Sequence, residues 1–276
     1  MTDLASLPPL RDSLAAHGLI ANKGFGQHFL LDLNITRKIA KLADLPPGLT
    51  VIEVGPGPGG LTRALLETGA RVIAIEKDVR FKPLLDDLSA AAEGRLTVVF
   101  EDALKVDETE LLAGQPAAIV SNLPYNVGTP LLIKWLTGPF RPASLTLMFQ
   151  REVVDRITAT VDDEAYGRLA VLAAATASAR KVMDVPAQAF TPPPKVTSAV
   201  VRLVPVESPI PSDLLEALQQ ITAAAFGQRR KMLRSSLKAL GGETLCQAAG
   251  LSADRRAETV DLNGFLDLAR ALQSRR

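Results

Sequence analysis

The sequence predicts an α/β protein in which helices cover both faces of a parallel sheet, followed by a smaller, wholly helical region. Three observations carry this expectation. Apolar runs near residues 51–54, 72–76, 96–100, 117–121 and 144–149 alternate with helical stretches, the pattern of a chain that crosses back over a sheet after each strand. The first of these runs leads directly into a glycine-rich loop and then a helix. Beyond Pro205, Pro209 and Pro211 the periodicity becomes helical and stays so.

Taken in order, residues 1–21 read as a variable extension with a short helix from Leu10 to His17. Phe25 to Leu42 reads as an entry segment and first helix, with Asp32 or Asn34 available as its cap. Val51-Ile52-Glu53-Val54 is a short buried strand, followed by Gly55-Pro56-Gly57-Pro58-Gly59-Gly60 and the amphipathic segment Leu61 to Glu67. A second strand, Arg71 to Ile75, ends at Glu76, and a third, Leu96 to Phe100, ends at Glu101-Asp102. The apolar run Ala117 to Val120 ends at Asn122-Leu123-Pro124-Tyr125. Leu169 to Ala177 reads as a buried helix, and Lys181 to Val185 with Val196 to Val204 as an antiparallel edge pair. Helices are expected at Leu214 to Ala225, Gln228 to Leu240, Glu243 to Ala249 and Leu262 to Leu272. The implied division is an extension over 1–21, a main domain over 22–206 and a helical domain over 207–276.

Strand, glycine loop and helix in this order form a nucleotide-binding context, because glycine lets backbone approach a ligand closely. An acid about 20 residues past such a loop commonly takes ribose hydroxyls, and Glu76 stands there. Two ligand classes compete. A dinucleotide wants a helix N-terminus facing pyrophosphate, yet Pro56 and Pro58 remove two N–H donors from the loop. Glu53, just before the loop, suits a cation better than a phosphate. S-adenosylmethionine fits this pattern: it has no phosphate, a ribose diol for Glu76, an adenine amine for Asp102, and a positive sulfonium and ammonium. At the next strand end, an amide, a proline and an aromatic ring suit methylation of an exocyclic amine on a flipped-out base. The Asn122 side-chain oxygen and a backbone carbonyl, that of Leu123, accept the two N–H bonds of adenine N6. Tyr125 offers a stacking face. Taken alone, the tetrapeptide also reads as a β-turn.

Composition bounds the rest. In a chain of 276 residues, 47% apolar content allows a substantial core. No uninterrupted apolar segment has the length of a membrane span, and no export signal is evident. One cysteine, Cys246, excludes an internal disulfide and fits a reducing cytoplasm. With only His17 and His28, no metal is expected. The net charge of +1 conceals an uneven distribution. No acidic residue occurs from Ala217 through Gly242, whereas Arg229, Arg230, Lys231, Arg234 and Lys238 do. Beside a base-methylation site, this run is expected to wrap one helix and track RNA phosphates.

The chain closely resembles the ribosomal-RNA adenine N6,N6-dimethyltransferases. The resemblance is nearest to the bacterial small-subunit members, and runs from about Lys23 to beyond Leu240. Its carriers include Gly26-Gln27-His28-Phe29-Leu30, Glu53-Val54-Gly55-Pro56-Gly57, Glu76-Lys77-Asp78, Glu101-Asp102-Ala103 and Asn122-Leu123-Pro124-Tyr125. Met148-Phe149-Gln150-Arg151-Glu152-Val153, Tyr166-Gly167-Arg168-Leu169, Phe190 to Ser198 and Arg229 to Leu233 continue it. The resemblance implies a Rossmann-like class I methyltransferase sheet with a small C-terminal helical domain that helps form a cleft for RNA. It implies S-adenosyl-L-methionine as cofactor, S-adenosyl-L-homocysteine as product, and cofactor contacts at His28, Leu30, Gly55, Glu76, Asp102 and Asn122. His28 departs from the family's usual asparagine; a backbone contact there is retained in either case. Phe190 is expected to sandwich the target adenine against Tyr125, although its loop also reads as a holder for a core phenylalanine. The implied substrate is two adjacent adenines near the 3′ end of 16S rRNA, within the 30S subunit or its precursor, modified by a monomer. A 23S rRNA dimethyltransferase of the macrolide-resistance type, a DNA adenine methyltransferase and a non-catalytic assembly factor are the alternatives.

Overall fold

A computed structural model describes residues 4–21, 27–228 and 230–275. Its centre is a seven-stranded sheet built from β2 (Thr50–Val54), β3 (Arg71–Glu76), β4 (Leu96–Phe100), β5 (Ala117–Asn122), β6 (Leu145–Gln150), β7 (Ala177–Val185) and β9 (Ser198–Pro205). The spatial order is β4-β3-β2-β5-β6-β9-β7. β2 pairs in parallel with β3 and β5, β3 with β4, and β5 with β6, while β9 runs antiparallel to β6. β2, β5 and β6 are buried along almost their whole length, as expected of parallel strands covered on both faces. The helices α3 (Gly60–Glu67) and α4 (Lys82–Ala91) contribute Leu65, Leu66 and Leu88 to a core that also holds Val51, Val72 and Val120.

From β2 the chain steps outward through β3 to β4, then returns to lay β5 on the other side of β2. The reversal leaves a crevice at the C-terminal ends of β2 and β5, the position where open α/β sheets bind ligands.

Some elements differ from expectation. A two-stranded antiparallel sheet, β1 (Phe29–Leu30) with β8 (Phe190–Thr191), joins Phe29 to Thr191 and Leu30 to Phe190. Strands this short leave no periodic signal in the sequence. Helix α2 is Leu33–Leu42, and its cap is Asp32, one of the two expected, whose Oδ1 accepts the Asn34 N–H at 2.8 Å. β9 and β7 together close one edge of the sheet, as expected, with β9 between β6 and β7. The basic run does not wrap one helix. Arg229 lies outside the described residues; Met232 bridges to Arg256, and α10 is only Leu233–Ser236, followed by a 3-10 turn over Lys238–Leu240. The backbone N–H of Leu233 donates to Arg255 at 2.8 Å, so tertiary pairing replaces helical pairing there.

The chain packs as two units. The first is residues 1–135, 139–154 and 180–204; the second is 136–138, 155–179 and 205–276. This differs from a linear boundary at 206/207 in giving 155–179 to the second unit. Within that unit α9 (Ser212–Gly227) packs along α12 (Leu262–Gln273), and Phe226 lies between Tyr166, edge-on at a ring distance of 6.0 Å, and Phe265, tilted at 5.4 Å. The Tyr166 hydroxyl donates to the Val260 carbonyl at 2.9 Å. Among the described residues, no helix is long and apolar enough to cross a membrane.

Candidate active site

β2, β3, β4 and β5 end at one sheet edge, so Gly55, Glu76, Asp102 and Asn122 line a single pocket. His28 and Leu30 reach it from the N-terminal segment and Leu123 and Tyr125 from beyond β5. The two halves of the site touch. Gly55 has φ +70°, and a Cβ there would lie 3.4 Å from the Pro124 ring. Ser121 Oγ donates to the Val54 carbonyl at 2.6 Å, tying the ends of β5 and β2 together. Gly60 is required for a different reason: a Cβ would sit 2.9 Å from the Leu30 carbonyl oxygen, so glycine lets β1 lie against α3.

Both oxygens of Glu76 accept backbone N–H bonds, Oε2 from Gly57 at 3.0 Å and Oε1 from Asp78 at 2.8 Å. The strand-end acid therefore shapes the glycine loop. Burial raises its pKa, and these backbone donors oppose the rise. Asp102 is held in the charged form, chiefly by Lys77, whose Nζ lies 2.8 Å from Oδ2, with the Leu104 N–H on Oδ1 at 3.0 Å. Asp78 accepts from Arg80 and from Gln27 Nε2 at 3.0 Å, linking the end of β3 to the N-terminal segment. Gln27, Lys77 and Asp78 were legible only as neighbours inside the motifs.

Glu53 is 1% exposed, and its Oε2 has no hydrogen-bond partner among the described residues. Burial pushes its pKa up to about 8, with Thr62 opposing and Glu76 reinforcing the rise. A buried acid with an unpartnered oxygen in a pocket wall suits a positively charged neighbour.

The Asn122 carboxamide makes no hydrogen bond among the described residues and is half-buried at the pocket. The Tyr125 hydroxyl is 2.8 Å from Ser198 Oγ, which anchors the ring, and burial raises its pKa. His28 Nδ1 lies 2.8 Å from the Pro192 carbonyl oxygen. Its side chain is thus engaged with the loop after β8.

Among the described residues, no ring contact joins Phe190 to Tyr125. Phe190 is 3% exposed and packs in the core with Leu30, Val185 and Met148. Its register opposite Leu30 in the β1–β8 pair accompanies this inward placement. Among the described residues, the ring that approaches Tyr125 is that of His28, at a centroid distance of 5.5 Å. Arg230, Lys231, Arg234 and Lys238 are exposed in the second unit, and Arg234 pairs with Asp254 at 2.6 Å.

Comparison with known proteins decides the family. The model of the ribosomal RNA adenine dimethylases matches residues 18–274. The chain belongs to the ribosomal RNA adenine dimethylase family. Ribosomal RNA small subunit methyltransferase A of Phenylobacterium zucineum (strain HLK1) is 70% identical to this dimethylase over 273 residues, 99% of this chain and 95% of that protein. Its counterpart in Caulobacter vibrioides (strain ATCC 19089 / CIP 103742 / CB 15) is 70% identical over 252 residues, 91% and 97% of the two chains. Among solved structures, a dimethyladenosine transferase from Plasmodium falciparum matches with a TM-score of 0.70 and 28% identity, over 87% of this chain and 96% of that one. The 23S rRNA methyltransferase ErmE matches at 0.66 and 28%, over 89% and 99%. The dimethylase therefore has a Rossmann-like class I methyltransferase sheet.

Proposed function

We propose that this dimethylase methylates N6 of two adjacent adenines near the 3′ end of 16S rRNA, in the 30S subunit or its precursor, giving N6,N6-dimethyladenine with a role in small-subunit biogenesis. The reading is carried by the close approach of Pro124 to Gly55, where an added Cβ would lie 3.4 Å from the proline ring, which sets the glycine loop beside the Asn122 turn at the switch point. The relatives at 70% identity are named for the small subunit, which favours this substrate over 23S RNA.

The pocket suits S-adenosyl-L-methionine. Its buried acid Glu53, with Oε2 unpartnered, complements a cation, and Pro56 and Pro58 deny it a phosphate cradle. Glu76 would take the ribose diol, Asp102 the adenine amine, and Gly55 with the backbone of His28 and Leu30 the remaining contacts. When bound, the cofactor supplies an electrophilic methyl group on a positive sulfur.

The protein's own task is to make adenine N6 nucleophilic. Its lone pair is delocalised into the ring, so Asn122 Oδ1 and the Leu123 carbonyl accept its N–H bonds and draw the nitrogen toward tetrahedral geometry. Tyr125, anchored through Ser198, stacks the flipped base, a contact worth roughly 1–3 kcal/mol. Holding both partners in register supplies much of the acceleration. After the first methylation one N–H is gone, so only one of the two acceptors is used in the second round. Arg230, Lys231, Arg234 and Lys238, with Arg229, would track RNA phosphates.

The test is Asn122→Ala assayed on unmethylated 30S subunits. Methyl transfer should be lost while binding of S-adenosylhomocysteine stays measurable by calorimetry. Retained turnover would remove Asn122 from this role.

A further inference from the structure

The segment that follows β4 carries Asp102 and, with Ala103 and Leu104, lines the pocket. It has little apolar anchorage of its own: from Glu101 to Asp107 only Ala103 is buried. A side chain from a neighbouring helix reaches it. Lys134, on α6 (Gly128–Thr137), donates from Nζ to the Ala103 carbonyl at 3.0 Å, to the Val106 carbonyl, and to Glu108 Oε1 at 2.8 Å. An ammonium has three N–H donors, and these three acceptors use them all. Glu108 opens α5 (Glu108–Leu111), is 2% exposed, and its Oε1 also accepts from Trp135 Nε1 at 2.7 Å. The helix is the fixed partner in this contact. Leu131, Leu132 and Trp135 of α6 are buried, and its first turn rests on the Pro124 carbonyl, which accepts the Val127 and Gly128 N–H at 3.2 and 3.0 Å. Thus α6 begins at the Asn122 turn, and Lys134 ties the segment beyond Asp102 to it.

We propose that Lys134 is a positioning residue of the cofactor pocket: it fixes the backbone from Ala103 to Val106 so that the Asp102 carboxylate meets the adenine amine of the cofactor, and thereby sets the preference for an adenine nucleoside. The proposal rests on the reading of the pocket given above. Two of the three Lys134 bonds go to carbonyls of an irregular segment, where no ladder supplies a donor and one is needed. A lysine present only to neutralise Glu108 has no need of them. Asp102 belongs to the same turn, since its Oδ1 accepts the Leu104 N–H at 3.0 Å and its carbonyl accepts the Lys105 N–H at 2.8 Å. A shift of Ala103 or Val106 therefore moves the carboxylate with it.

Two variants separate positioning from stability. Glu108→Gln removes the charge pair and leaves Lys134 its two carbonyls. Lys134→Met alone would leave a buried acid unpaired, which is destabilising by itself, so it is combined with Glu108→Gln. Each protein is compared with the parent for thermal unfolding, KM and kcat, and calorimetric affinity for S-adenosylhomocysteine and for S-inosylhomocysteine, in which a carbonyl replaces the adenine amine. The parent is expected to prefer the adenosyl ligand roughly 10- to 100-fold, the range of one hydrogen bond to a charged group. The double variant is expected to lower that preference about 3- to 10-fold, a partial loss of the same bond. Its KM for S-adenosylmethionine should rise, with kcat at saturating cofactor and KM for 30S subunits close to parental. Glu108→Gln is expected to retain the parental preference. An unchanged preference in the double variant overturns the proposal, as does an equal drop in Glu108→Gln. So does an equal loss of affinity for both ligands that follows a lowered unfolding temperature. A parent that binds both ligands equally overturns the assignment of the adenine amine to Asp102 instead, and one that methylates no ribosomal adenine overturns the underlying reading of the pocket.

Discussion

Glu53 shows how far one side chain departs from its ordinary chemistry when the fold removes its water. Burial lifts its pKa from 4.5 to about 8, so the folded chain holds this proton more tightly than the unfolded chain does. Its contribution to stability is complete below pH 4.5, falls as pH rises toward 8 and is level above that. Glu53→Gln should flatten this decline, with Glu76, also raised, supplying the remainder; urea midpoints across the window measure it. The same variant should weaken binding of S-adenosylhomocysteine, whose ammonium needs the ionised acid. Parent affinity should strengthen as pH rises through about 8 and the variant's should not. An equal pH dependence in both proteins would exclude Glu53 as the cation's partner. Glu76, Asp102 and Asn122 were legible in the sequence because each ends a strand of regular pattern. The directions of His28 and Phe190 were not, since both depend on a ladder of two residues per strand.

Elements place these residues through close backbone approaches. At Gly60 a Cβ would meet the Leu30 carbonyl oxygen at 2.9 Å and Leu10 Cδ1 at 3.0 Å. Gly60→Ala must move β1, and overpacking of this kind costs about 1–3 kcal/mol. Reduced cofactor-product affinity should accompany the loss, because Leu30 lines the pocket. A variant with parental stability would show that β1 shifts freely. The Asp32 cap offers a contrast: Asp32→Ala should cost about 1 kcal/mol of stability with little effect on product affinity, since it removes one N-terminal hydrogen bond of α2. The parallel strands and α3 could be read from apolar runs and the glycine loop. The break in the basic segment could not, because the pairing of Leu233 with Arg255 and of Met232 with Arg256 overrides a good local helix pattern.

On the scale of the whole molecule, a net charge of +1 conceals an asymmetry that should appear as salt dependence. Arg230, Lys231 and Lys238 are exposed in the second unit, whereas Arg234 shares its charge with Asp254. Replacing Lys231 and Lys238 by alanine should weaken binding to 30S subunits and reduce the slope of log K against log salt by roughly 0.7–0.9 for each phosphate that is no longer neutralised. An unchanged slope would place the RNA elsewhere. The division of the chain was only partly legible: the helical character of the C-terminal stretch is local, but the grouping of 155–179 with it comes from packing among distant segments. Methyl transfer to small-subunit adenines is measured by offering radiolabelled S-adenosylmethionine with unmethylated 30S subunits, 23S RNA and duplex DNA in parallel. Label recovered as N6,N6-dimethyladenine in 16S rRNA alone is the result expected. Label in 23S RNA or DNA, or intact particle binding without any label, would contradict it.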